Sequence, residues 1–503
     1  MELASAIRVV IRTVRRRPAQ LLPFYLLTLS VPAIMQVFFF VGIVVFGAYL
    51  LSTGRIAAFE AELATVDTDV PDPEQDPEAF VEWVEGLQPL LETVITPTSV
   101  LILAVAGIIT ILGLLLLAAT LSAGQFATCF GLLRGENGIV RGIDGFKRHW
   151  LHFIGLYALE LVIWISVSVI VFGLIFGIAA FSLTLALFVG IFAILFWLGI
   201  VLTVRAIFVF APVAIVVEGS GVIDGVRNSA AFIRAQFANA VIYYVIAIGV
   251  LIGWGGVSST LAAFGMPTIG AVGSVLLVAP ALDLLKTVLY GDHRGVISPV
   301  APPEESIVVQ LRRGLRHGIE EMLSFARSTP GLHGVATGSL VIGFIMGWVL
   351  IEPFAAHLDA SIRSRIAGII PPAFAVEIFG NNWRVAMMIA FSGAAFTLPA
   401  IYGLWFNGVA LGVLGRLEVE PLVLLAFVVP HGILELPAII ISGALGIYLG
   451  IIVWRSWRGH IDRETLANSL ERATWIIVGL GVVLAIAALI EGFISPFYFR
   501  LFL

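Results

Sequence analysis

Residues 430–453 read PHGILELPAIIISGALGIYLGIIV. As a helix rising about 1.5 Å per residue, the run is long enough to cross about 30 Å of hydrocarbon. Yet it holds an imidazole, a carboxylate and two prolines: His431, Glu435, Pro430 and Pro437. A charged group at a bilayer centre costs about 2.5 to 3.5 kcal/mol on insertion scales. His431 and Glu435 are four apart, so on a helix they share a face, and there they must meet each other, water or a ligand.

Upstream, GNNWRVAMMIAFSG (380–393) and LWFNGVALG (404–412) set Asn381, Asn382, Arg384 and Asn407 inside or beside further apolar runs. The candidate intramembrane polar site is therefore Asn381, Asn382, Arg384, Asn407, His431 and Glu435. Pro399, Gly408, Pro430, Gly432 and Pro437 are the points of helix break or close packing. No catalytic residue, metal or cofactor is assigned. His431 and Glu435 would suit a metal, but HExxH is absent and a second histidine is missing from this face.

Composition fixes the class. Of 503 residues, 60% are apolar and 12% charged, which excludes a soluble globule and leaves an all-α polytopic membrane protein with about ten or eleven membrane segments. Alternating ten-residue strands of a barrel are absent. The net charge of −5 without a basic block excludes nucleic acid as a partner. The single cysteine, Cys129, excludes an internal disulfide or multi-cysteine metal site.

Taken in order, residues 3–17 read as a basic amphipathic helix on the membrane surface, followed at Pro18 and Pro23 by an uncleaved first span to Leu51. Residues 52–97 form an acidic exterior loop, with nine carboxylates and no lysine or arginine between Asp67 and Glu92. Spans are expected at about 98–120, 151–180, 183–216, 238–262 and 269–290. GIVRGIDGFKRHW (138–150) and GVIDGVRNSAAFI (221–233) read as two interfacial helices in equivalent places.

Residues 1–290 thus make a six-span domain, and 291–331 a linker with a surface amphipathic helix at 304–327. Residues 332–503 make a second membrane module, whose first span carries two GxxxG pairs through Gly334, Gly338, Gly343 and Gly347. An apolar stretch around Ile362, Ile366 and Ile369 follows. The basic segment 454–472 requires an odd number of crossings between 383 and 453, so 384–415 folds back as two half-helices or crosses twice. Positive residues put the N-terminus inside a cytoplasmic membrane and the C-terminus outside.

GNNWRVAMMIAFSG, LWFNGVALG and PHGILELPAIIISGALGIYLG, in that order and spacing, resemble the signature of the stage II sporulation protein M family, over about 304–495. The resemblance implies a small polytopic membrane domain. In the sporulation member, such a domain anchors a wall-degrading complex. FAPVAIVVEGSGVIDGVRNSAAF in the N-terminal half resembles, more loosely, membrane domains attached to some glycerophosphodiesterases, without a phosphodiesterase motif. The expected function is a non-enzymatic membrane scaffold for envelope proteins. A transporter or channel at His431 and Glu435 is the alternative, and an intramembrane metal-dependent hydrolase ranks third. Expected partners are the bilayer, membrane or envelope proteins and, as an option, a second copy of the chain.

Overall fold

The computed structural model describes residues 3–66, 76–298, 301–303, 305–355, 358, 360–362, 368 and 370–498. His357, Asp359, Arg363, Arg365, Ile366 and Ile369 lie outside the described residues, as do residues 67–75 at the start of the acidic run. The described chain is helical, with no strand, and ten of its helices are long and apolar enough to cross a membrane. The chain is an all-α membrane protein.

Two compact units divide it: residues 1–31 with 117–503, and Pro32–Leu116. Residues 117–290 of the first expected module fall in the same compact unit as the second expected module, 332–503. In the smaller unit, Val31–Ser52 is followed by short helices Arg55–Leu63, Pro77–Gly86 and Gln88–Val94, none of which buries a residue. The described residues of the expected loop 52–97 are therefore largely helical.

The larger unit begins with α1 (Leu3–Arg16), an amphipathic helix that ends in Arg15 and Arg16 and buries Ala6, Val10 and Thr13. Two long helices, α2 (Gly138–Ala179) and α3 (Leu183–Glu218), form a hairpin capped by Asn137 and Ser182 side chains that accept from free first-turn amides. Residues 138–150 are the opening turns of α2, whereas 221–233 fall in a separate helix, α4 (Val222–Ala235), ended at Gln236 before α5 (Phe237–Ala263). The two glycine-spaced segments are thus not structural equivalents. In the first, the apolar face continues into the span; in the second, Gln236 leaves the helical conformation. α6 (Pro267–Gly273) joins α7 (Ala279–His293) through a π-turn at Ser274–Val278. Phe210, Phe232, Tyr243 and Tyr290 form the aromatic centre of this half.

The C-terminal module consists of α8 (Ile307–Ser328), α9 (Pro330–Ile351), α10 (Pro371–Ser392), α11 (Leu398–Leu417), α12 (Pro421–Trp457), α13 (Arg463–Phe493) and the short α14 (Ser495–Tyr498). Pro330, Pro371 and Pro421 open their helices, where a missing amide hydrogen costs nothing. The stretch 384–415 belongs to two helices of about 30 Å each, α10 and α11, not to a re-entrant pair of half-helices. α10 begins at Pro371 rather than near Arg384. Glu377, Asn381, Asn382 and Arg384 depress the hydropathy of a segment that nevertheless packs as a full helix.

α9 and α11 approach most closely through Gly343 and Gly408. A Cβ on Gly343 would lie 2.0 Å from the Trp405 carbonyl oxygen, and one on Gly408 2.1 Å from that of Leu340. Of the two expected GxxxG pairs, Gly343 and Gly347 make this crossing, while Gly334 and Gly338 face open space. The two modules meet where Glu377 of α10 accepts from the Thr268 amide at 2.9 Å and from its hydroxyl.

Candidate intramembrane polar site

α12 is one helix of 37 residues and runs unbroken through Pro430 and Pro437. The expected helix breaks at these prolines are therefore absent. Each proline leaves one carbonyl a turn earlier without its usual donor, a loss that packed membrane helices tolerate. Pro399 sits in the first turn of α11 and starts that helix. Because α12 is continuous, His431 and Glu435 stay one turn apart on the same face.

That face turns toward the end of α13. The His431 Nε2 atom lies 3.9 Å from a Glu491 carboxylate oxygen, and the His431 Nδ1 atom lies 3.0 Å from the hydroxyl of Ser495, just past the end of α13. The Phe427 ring, one turn earlier on α12, stands edge-on to the imidazole at 5.5 Å between centroids. His431, Glu435 and Glu491 offer ligand atoms that all lie within 4.8 Å of one another. His431 and Glu491 are buried and Glu435 half-buried.

The cluster faces a cavity of about 370 Å³, large enough for several waters. Asn381 and Asn382 of α10 and Asn407 of α11 line it, together with Gly432 and apolar side chains such as Leu340, Phe374 and Leu411. Ile362, after α9, also lines it, and its backbone amide donates a hydrogen bond to the Glu418 carboxylate at 2.9 Å. Five of the six expected polar residues thus line one cavity, with Glu435 and His431 on a single wall.

Several placements differ from expectation. Asn381 and Asn382 lie midway along α10, not at the entrance of a segment, because α10 starts ten residues earlier. Arg384 does not line the cavity; it points back to Asn381 Oδ1 at 3.4 Å. Asn407 donates to the Gly403 carbonyl of its own helix at 2.7 Å. Among the expected packing points, Gly408 makes the close approach to α9, and Gly432 lines the cavity.

Sequence reasoning missed Glu491 and Ser495. The signal was present: AALIEGFISP (487–496) is another apolar run interrupted by a carboxylate, the criterion that singled out Glu435. Glu491 escaped because it sits at the end of its span, where a charge normally faces water.

Comparison with known proteins bears on this module. Residues 336–496 match the family model described as Stage II sporulation protein M, a shorter stretch than the 304–495 expected. An uncharacterized protein of Methanocaldococcus jannaschii is 28% identical over 162 residues, which cover 31% of this chain and 88% of the relative. No solved structure matches. The matched span contains every cavity-lining polar residue, from Asn381 to Glu491. Over residues 336–496, then, this chain is similar to the Stage II sporulation protein M family.

Proposed function

We propose that the C-terminal module is a membrane-embedded binding site for a cation or small polar solute, and that the chain works as a non-enzymatic transporter or channel. The sequence ranked this reading second. It rises because three ionisable side chains from two membrane helices face one cavity instead of each pairing with a single structural partner. Helix-locking polar contacts of roughly 0.6 kcal/mol need one donor and one acceptor apiece, whereas this cluster gathers two carboxylates on one imidazole. On this reading the chain sits in a cytoplasmic membrane with its N-terminus inside.

The test is flux in proteoliposomes of the full chain, read with proton- and zinc-sensitive dyes. His431→Gln and Glu435→Gln should abolish it at unchanged expression and monodispersity; flux that survives both changes overturns the reading. The scaffold reading keeps one observation of its own: the three short helices between Arg55 and Val94 bury nothing and are free to face a protein partner. A scaffold would tolerate both substitutions and retain a co-purifying envelope protein that is lost when these helices are deleted.

A further inference from the structure

We propose that His431, Glu435 and Glu491 bind a divalent transition-metal ion, of the Zn²⁺, Mn²⁺ or Fe²⁺ class. The inference deepens the binding-site reading above and rests on it. It follows from geometry, charge balance and ligand chemistry taken together.

The geometry is that of three convergent ligands with a supporting contact. Two come from successive turns of α12 and the third from the last turn of α13, all within 4.8 Å of one another. A metal held at about 2.0 to 2.2 Å by each ligand asks the ligand atoms to lie closer than the 3.9 Å between His431 and Glu491. Rotation of the flexible glutamate side chain supplies the difference. In the tautomer that donates Nδ1–H to Ser495 Oγ, the Nε2 lone pair faces the carboxylates. Fixing the far ring nitrogen in this way is how outer contacts orient metal-binding histidines.

The charge argument is independent of the distances. Two carboxylates beside each other in a mostly apolar cavity are neutralised either by taking up protons or by a bound cation, and the second route is the one proposed here. Arg384, the nearest arginine in the sequence of α10, is turned to Asn381 and is absent from the cavity wall. A dication balances the pair without any further protein group.

Ligand type then narrows the ion. One imidazole nitrogen with two carboxylates suits borderline ions. It disfavours Ca²⁺ and Mg²⁺, which take oxygen ligands, and Cu⁺, which takes sulfur. Three protein ligands leave positions open toward the cavity, where the Asn382 and Asn407 carboxamides stand. The third ligand that the sequence lacked is therefore a carboxylate from another helix, not a second histidine.

The experiment uses the purified full chain in detergent, stripped of metal and titrated with Zn²⁺ by calorimetry and with Co²⁺ by visible absorption. The expected result is one ion per chain, with Co²⁺ bands that lack a thiolate charge-transfer feature, since Cys129 is buried in the other module. Glu491→Gln should weaken Zn²⁺ at least 100-fold. Ser495→Ala should weaken it about 10-fold while keeping the stoichiometry, and Glu320→Gln on the exposed face of α8 should change nothing. Should Glu491→Gln fail to fold, Ser495→Ala and the wild-type Co²⁺ spectrum decide. No saturable Zn²⁺ binding, or binding unchanged by Glu491→Gln and Ser495→Ala, overturns the proposal. Metal binding without flux keeps the ion and removes the transport reading; flux sensitive to Glu435→Gln without metal binding does the reverse.

Discussion

The two halves of the larger unit treat polar groups inside a membrane in opposite ways. In the N-terminal half two carboxylates are each matched by a cation: Asp283 binds Lys286 at 2.8 Å and accepts from the Tyr25 hydroxyl at 2.9 Å, and Glu160 binds Arg205 at 3.1 Å. In the C-terminal half, two carboxylates and an imidazole are pooled around a cavity, with Ser495 as a neutral partner of the ring. The two helices that carry the pooled charges are also the most enclosed of the ten candidate spans. Of the most apolar window in α12, 61% is buried, and 56% in the span containing α13, against 6% in α2 and 11% in α3. Matched charges let helices stand in lipid as hairpins, whereas pooled charges need other helices around them.

The largest effect should come from breaking a matched set. Asp283→Ala leaves the Lys286 ammonium enclosed without its carboxylate, a loss of about 3–5 kcal/mol for a buried pair. It should show as a collapse in folded yield and in the thermal midpoint by fluorescence-detected size exclusion. A midpoint within a degree of wild type would mean that the N-terminal pairs are not structural.

Next is the scaffold of the pooled half. Gly343→Ala places a methyl against the Trp405 carbonyl and should cost about 1–3 kcal/mol, the usual range for overpacking. Gly338→Ala, in open space on the same helix, should be neutral by the same assay. Equal effects at the two positions would remove the α9–α11 contact as the wall that holds Asn407 in place.

Glu435→Gln sharpens the contrast most. It removes one of two neighbouring like charges, so stability should change by less than about 1 kcal/mol, or rise, while flux is lost. A fall in midpoint like that of Asp283→Ala would make the C-terminal cluster a structural lock as well.

The smallest effect lies at the water-exposed start of α13. There the Asp462 carboxylate accepts from the Thr465 amide at 2.8 Å, and this partner holds its pKa below the ordinary aspartate value of 3.8. A depressed folded-state value means that the contribution is present above pH 3.8 and lost as pH falls through the lower folded value. Asp462→Ala should therefore lower the midpoint slightly at pH 7, and the difference from wild type should shrink by pH 3. A difference independent of pH would rule out the charged cap.

Much of this was legible in the sequence because long apolar runs and prolines at helix starts are local signals. The surface helix at 307–328, the span at 330–351 and the shared face of His431 and Glu435 all follow from periodicity. What was not legible was tertiary. The start of α10 was hidden by Glu377, whose cost is removed by Thr268, more than 100 residues away in sequence. The continuity of α12 through two prolines depends on helices packed around it. Glu491 joined the cluster through the fold of α13 back along α12, which no spacing rule encodes.

The most direct measurement is a side-chain-resolved electron cryomicroscopy map of the full chain in lipid nanodiscs. The His431 ring and the Glu435 and Glu491 carboxylates should face one enclosed space within about 5 Å of each other, with Asn407 on another wall. A map in which Glu491 turns outward to lipid or headgroups, leaving His431 and Glu435 in separate surroundings, would contradict the pooled site and everything proposed from it.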